Sequence, residues 1–128
     1  MELAKAAGAK RALPLAVSIA AHSSLMNSIQ SEWGAAVDAV AMKDASAPIF
    51  GNITARALTS ADDLRADIRA QMQSRVRWSE AVRGMIGSGI RHFVEVGSGS
   101  VLIGLVRRID SSVTGQALGN PSDFENLL

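Results

Sequence analysis

An α/β fold, with helices layered on a mainly parallel sheet, is what this sequence predicts, and three observations carry the prediction. Short apolar or β-branched runs alternate with segments whose apolar residues recur every three or four positions, the pattern of strands joined by crossover helices. Residues 91–109 hold such a unit in one stretch. There Arg91-His92-Phe93-Val94-Glu95-Val96 reads as a strand, Gly97-Ser98-Gly99-Ser100 as a tight turn and Val101 through Ile109 as a helix. At 128 residues and 48% apolar, the chain has the size of one domain and enough apolar material for a core.

The elements follow in order. Residues 2–8 carry helical spacing and stop at Gly8, a C-cap position. Arg11–Ser18 read as a strand whose apolar run leads to His22, followed by the hydroxyls Ser23 and Ser24. The positions Leu25, Ile29, Trp33, Val37 and Val40 predict one amphipathic helix over 24–42, capped by Ser23 or Ser24 and slightly weakened by Gly34. Ala47 to Thr54 reads as a short strand entered through Pro48 and closed by Thr59-Ser60. Ser60-Ala61-Asp62-Asp63 has capping-box spacing with acids in the first turn, and Leu64, Ile68 and Met72 are expected as the buried stripe behind it. A further helix with Trp78, Val82, Met85 and Ile86 stops at Gly87-Ser88-Gly89. Beyond the 91–109 unit, Thr114–Leu118 is expected as a strand and Asp123–Leu128 as a terminal helix.

Composition excludes several classes of function. Thirteen Lys and Arg against twelve Asp and Glu leave a formal charge of +1, and aromatics are few at 4%, so a nucleic-acid partner is not expected. The absence of cysteine excludes disulfides, thiolate zinc sites and a cysteine nucleophile, and a cytoplasmic setting is the default. No apolar run approaches the roughly 18 residues of a membrane-spanning helix, so no membrane is expected. A mean hydropathy of +0.17 is high for a small domain, and part of the surface is expected to meet a partner. Lys5, Lys10 and Arg11 before the apolar stretch Ala12–Ala21 imitate a secretory signal, but Glu2, Pro14 and the long polar lead favour a buried strand.

His22 is the residue whose setting suggests chemistry. A histidine held at the end of a rigid strand suits a general base, although a structural histidine fits the same spacing. The nucleophile such a base would activate, a serine on a Gly-x-Ser-x-Gly turn, is absent, since Ser88, Ser98 and Ser100 all lack glycines two before and two after. Ser23 and Ser24 adjoin His22, yet sequence neighbours rarely present side chains in line for proton transfer. The Gly97–Gly99 turn fits neither a dinucleotide fingerprint, which needs glycine at Leu102, nor a phosphate loop, which needs Lys-Ser/Thr at Leu105-Val106. Neither His22 nor His92 has a metal-ligand partner at helical spacing, so no metal is expected and His92 is expected to be structural.

Ala7-Gly8-Ala9-Lys10-Arg11-Ala12-Leu13-Pro14-Leu15-Ala16-Val17-Ser18, followed by His22-Ser23-Ser24-Leu25-Met26, resembles the active-site histidine segment of malonyl-CoA:acyl carrier protein transacylases. Three further blocks agree in order. They are Pro48-Ile49-Phe50-Gly51-Asn52-Ile53-Thr54, then Gln71 with Val76-Arg77-Trp78, then Phe93-Val94-Glu95-Val96-Gly97-Ser98-Gly99 with Val101-Leu102. The likeness spans the chain but only the C-terminal part of the family's catalytic domain. It implies part of an α/β-hydrolase-like core with the last strand of a ferredoxin-like small subdomain, residues 1–22 ending the subdomain and 23–128 belonging to the core. It also implies that His22 is the base and that the main-chain carbonyl of Gln71 orients its ring, a carbonyl in place of the usual triad carboxylate. Asn52 is placed near the cleft as a substrate-binding or supporting residue, and the Gly97–Gly99 turn as a support.

The implied substrates are malonyl-CoA and the phosphopantetheine thiol of acyl carrier protein, with no cofactor. The nucleophilic serine lies upstream, so the chain alone is expected to be inactive and its partners to include the missing N-terminal part of the enzyme, with self-association of the truncated sheet. Ala20-Ala21, Ser98 and Ser74-Arg75 depart from the family's pattern and leave acyl selectivity open. Rival readings are a non-catalytic module that binds carrier protein or a companion subunit, a polyketide-synthase-type acyltransferase fragment, and a secreted domain of unrelated function.

Overall fold

The computed structural model describes residues 1–14 and 16–127. In chain order the elements are α1 (Glu2–Ala6), a 3₁₀ segment (Ser24–Ile29), α2 (Gln30–Asp38), β1 (Ile49–Phe50), β2 (Ala57–Leu58), α3 (Ala61–Ala70), α4 (Trp78–Gly87), β3 (His92–Val96), α5 (Val101–Ile109), β4 (Thr114–Leu118) and a closing 3₁₀ segment (Pro121–Leu127). The fold is mixed α/β, with a parallel pair β3–β4 and an antiparallel hairpin β1–β2.

The predicted strand-turn-helix unit forms and closes into a β-α-β arrangement. Gly97 and Gly99 both have positive φ, +134° and +87°, which lets the chain leave β3 and enter α5 within a few residues. The open N-terminus of α5 is satisfied from the strand before it, because the Glu95 carboxylate accepts from the N–H groups of Leu102 at 3.2 Å and Ile103 at 2.9 Å. Glu95→Ala leaves both donors without that partner, and a loss of about 1–2 kcal/mol is expected in a denaturant titration. β4 then lies parallel to β3, with His92 opposite Thr114 and Val96 opposite Leu118. The core gathers where α4 and α5 meet this pair: Val82, Val106 and Val113 are buried, with Trp78, Ile86, Phe93 and Ile109 packed around them.

The second half of the architecture is a helix pair stitched through its ends. Gln30 and Trp33 of α2 donate to the last carbonyls of α3, Gln30 Nε2 to Arg69 O and Trp33 Nε1 to Ile68 O, each at 2.9 Å. In return, α3 caps α2: Arg65 donates to Val37 O at 2.7 Å and Val40 O at 3.1 Å, while Arg69 pairs with Asp38. Each helix therefore supplies donors to the carbonyl end of the other. Ser60 caps α3 as its spacing predicts, accepting from Asp63 N at 3.1 Å.

Several expectations are corrected. No strand forms among the described residues of 11–18, Leu15 lying outside them; His22 follows an extended, exposed stretch and sits in a turn rather than at a strand end. The single helix expected over 24–42 divides into the 3₁₀ segment and α2, and Leu25 and Val40 are exposed while Val37 is buried. The β1 strand is two residues long and pairs antiparallel with β2 in a sheet of its own, so the predominantly parallel pairing that was expected is confined to β3 and β4. On α3 the buried residue is Asp67, whereas Ile68 is exposed and Leu64 is only partly covered. The C-terminal segment is 3₁₀ over Pro121–Leu127, with Leu128 outside the described residues.

Among the described residues of 1–21 none is buried: Leu3, Leu13, Val17 and Ile19 are all exposed, as are Val94 and Val96 on β3. Among the described residues each strand of the parallel pair has one partner only, so both outer edges are open to pairing. The 128-residue chain on its own is expected to self-associate, with light scattering showing a mass that rises with concentration; a monomer at every concentration would refute this.

Acid is expected to loosen the fold. A hydrogen bond from Arg69 holds the Asp38 carboxyl below its ordinary range, one from Arg77 does the same for Glu80, and one from the Ser112 hydroxyl for Asp110. Because these folded-state values are lowered, their stabilisation is present above the unfolded carboxylate values near ~4 and is lost as pH falls through the folded ones. Melting temperature is therefore expected to hold from neutral pH down to about 5 and to fall below about 4. Salt should reduce the Asp38 and Glu80 parts and leave the neutral Ser112 bond largely unaffected.

Candidate active site

His22 is fixed at two points by one turn of the chain. Its backbone N–H donates to Met72 O at 2.9 Å, and its ring Nδ1 lies 2.8 Å from Gln71 O. A carbonyl can only accept, so Nδ1 carries the hydrogen and Nε2 of the neutral ring keeps a free lone pair. The backbone at His22 is left-handed, with φ +66°, and this conformation lets both bonds form from one residue. On its far side Ser23 caps the 3₁₀ segment, its hydroxyl donating to Ala20 O at 2.8 Å and accepting from Leu25 N at 3.3 Å. The hydroxyl next to the imidazole is thus committed to the local backbone.

The acceptor turn is itself held on every side. Residues 71–73 leave the C-terminus of α3, where helix carbonyls lack internal partners. The segment from His22 to Trp33 supplies them: Trp33 to Ile68 O, Gln30 to Arg69 O, and His22 to the carbonyls of both Gln71 and Met72. Gln73 Nε2 adds a bond to Asn27 Oδ1 at 2.9 Å.

Asn52 enters through its main chain. Its N–H donates to Asp67 Oδ2 at 3.0 Å and its carbonyl accepts from Arg77 N at 2.8 Å, while the residue as a whole is exposed. Asn52 and Gln71 line one depression of about 560 Å³ together with Trp33, Phe50, Leu64 and Asp67; His22 lies outside that lining. The Gly97–Gly99 turn belongs to the β3–α5 junction. His92 faces Thr114, with Nδ1 2.9 Å from the Thr114 hydroxyl across the strand pair.

Sequence reasoning missed Asp67, Gln30 and Trp33. Asp67 is 8% exposed and accepts from the N–H groups of Asn52, Ile53 and Thr54 and from the Thr54 hydroxyl. The available signal was its position four residues after the cap partner Asp63, on the inward stripe, where an acid needs donors from elsewhere in the chain. Chemically, the arrangement offers one oriented imidazole with a free nitrogen. Among the described residues no side chain is hydrogen-bonded to that nitrogen.

No family model matches the chain. Malonyl CoA-acyl carrier protein transacylase of Bacillus subtilis (strain 168) is 37% identical over 124 residues, covering 97% of this chain and 39% of that protein. The protein of the same name from Escherichia coli (strain K12) is 36% identical over 118 residues, 92% of this chain and 38% of that one. Among solved structures, an acyl carrier protein S-malonyltransferase from Vibrio cholerae superposes with a TM-score of 0.91 at 32% identity, covering 99% of this chain and 42% of the other. A malonyl-transacylase solved in complex with its type II polyketide-synthase acyl carrier protein gives a TM-score of 0.92 at 31% identity, with coverage of 99% and 41%. The chain therefore spans about two fifths of the length of the relatives it matches.

Proposed function

We infer that this chain, which belongs to the malonyl-CoA:acyl carrier protein transacylase family and corresponds to a C-terminal portion of its members, supplies the proton-transfer half of an acyl-transfer site. The observation that carries this reading is the 2.8 Å bond between His22 Nδ1 and the Gln71 carbonyl, which leaves Nε2 free to accept a proton. In the reaction proposed, Nε2 takes the proton of a serine contributed by the rest of the enzyme as that oxygen attacks the malonyl thioester. The tetrahedral adduct collapses to a malonyl-serine ester, and His22 returns the proton to the departing CoA thiolate. The phosphopantetheine thiol of acyl carrier protein then gives its proton to Nε2 and attacks the ester, and the serine recovers that proton. Gln71 O keeps its bond to Nδ1–H throughout, fixing the tautomer as the carboxylate does in a Ser-His-Asp triad.

The proposed setting is an α/β-hydrolase-like core formed by residues 23–128 with the remainder of the enzyme, and a ferredoxin-like small subdomain that residues 1–22 complete. The exposure of Leu3 on α1 and of Leu13, Val17 and Ile19 after it supports this, since clustered exposed apolar side chains mark a surface that meets a partner. Asn52, by its place beside Gln71, is proposed to border the substrate cleft. The test is loading with labelled malonyl-CoA. The 128-residue chain alone should retain no label, whereas the polypeptide that joins it to the serine-bearing part should form an acyl-enzyme and pass the label to acyl carrier protein. Loading of the isolated chain would overturn the reading. The likeness to a polyketide-synthase transacylase favours a second version of the same chemistry, with a polyketide carrier protein as acceptor, and a comparison of the two carriers' kcat/KM separates them.

A further inference from the structure

The Asn52–Thr54 loop is bonded to the chain on both sides of the turn that holds His22. Before the turn, Asp67 accepts from Asn52 N at 3.0 Å, Ile53 N at 3.2 Å, Thr54 N at 3.1 Å and the Thr54 hydroxyl at 3.2 Å. After it, Arg77 donates its backbone N–H to Asn52 O at 2.8 Å and its guanidinium to Thr54 O at 3.2 Å. Between those anchors lie Gln71 and Met72, whose carbonyls receive the ring and the backbone of His22. Gly51 keeps the clamp tight, because a Cβ there would stand 2.4 Å from Asp67 Oδ1.

We propose that this loop is a clamp on the 67–77 segment and that Asp67 is a positioning residue for acyl transfer, acting through Gln71 on the imidazole of His22. The inference rests on the proposed function for its catalytic consequence and on the hydrogen-bond geometry for its structural one. Asp67 and Gln71 are one helical turn apart, so a change in how α3 seats against the loop moves the Gln71 carbonyl directly. A carboxylate is suited to this task because it is acceptor-only and takes several N–H groups at once. Asparagine, with one carbonyl oxygen and an NH₂, would face those donors with donors of its own.

The test compares wild type and Asp67→Asn in the full-length enzyme by two readouts: malonyl transfer, and the His22 Nδ1–H resonance in ¹⁵N-edited NMR. The expected result for Asp67→Asn is a kcat lowered about tenfold, as misplacement of a catalytic group produces. KM for malonyl-CoA should stay within about twofold, the ring resonance should broaden or vanish, and Asp67→Glu should recover part of both. An unchanged kcat with an unchanged ring resonance overturns the inference, as does a kcat loss with the resonance intact. If Asp67→Asn does not fold, Thr54→Val, which removes the hydroxyl's bond to Asp67 together with the one it accepts from Arg56 N at 3.4 Å and keeps the carboxylate, is judged on the same readouts with the same direction expected. A wild-type enzyme that shows the Nδ1–H resonance, loses it in Asp67→Asn and transfers no malonyl would leave the clamp standing and remove the proposed function.

Discussion

His22→Ala in the full-length enzyme is expected to lower kcat for malonyl transfer by about 10²–10⁴-fold, the span general acid–base catalysis typically supplies. The fold should survive. His22 is exposed and its ring makes one hydrogen bond within the described residues, so truncation removes a single contact and creates no cavity. The backbone needs a control, because His22 has φ +66° and alanine is disfavoured there by about 1 kcal/mol. Asparagine tolerates that conformation, and His22→Asn should therefore melt close to wild type while remaining as inactive as the alanine variant. Stopped-flow measurement of acyl-enzyme formation, read beside thermal melts, checks both. Retained transfer in either variant would refute the role of the imidazole.

The largest effect on stability is expected at Val82, which is 0% exposed at the junction of α4, α5 and the parallel pair. Val82→Asp places a carboxyl among Val106, Val113, Ile86 and Phe93. Trp78, packed against the same cluster, has a buried Nε1 without an acceptor among the described residues, and such a donor could satisfy only one lone pair. A loss of about 4 kcal/mol or more is expected. Against a typical total of about 5–15 kcal/mol, that removes much of the cooperative melt. Val82→Ala, which deletes two methyl groups, should cost about 2 kcal/mol and leave a measurable transition. Urea titrations of the two variants give the comparison.

The β3–α5–β4 unit was legible because every level of the sequence agrees there: β-branched residues, two glycines that permit positive φ, and a helix with a strong apolar stripe. Ser60 and its acids marked the start of α3 for the same reason. The His22 segment was misjudged as a strand because its apolar residues suit one, yet no neighbouring strand lies within these residues to pair with it. Over 24–42 the periodicity was real, but Leu25 and Val40 are exposed and the first turn tightened into 3₁₀ under the Ser23 cap. The His22–Gln71 contact links residues 49 apart in sequence, a separation that pattern analysis does not span; only the family resemblance brought the two together. Asp67 escaped because three of its four donors are backbone N–H groups, which no residue type identifies, and its place on the inward stripe was the one signal it gave.

Since one turn of chain grips His22 by both ring and backbone, loss of that turn removes both grips together. A local opening of residues 71–73 releases them in the same event, so the opening equilibrium of that turn, rather than the global stability of the fold, sets the upper bound on the fraction of molecules with an aimed imidazole. Hydrogen exchange at the His22 amide would then measure the free energy of that opening, and with it the largest share of the population that can hold the imidazole in position.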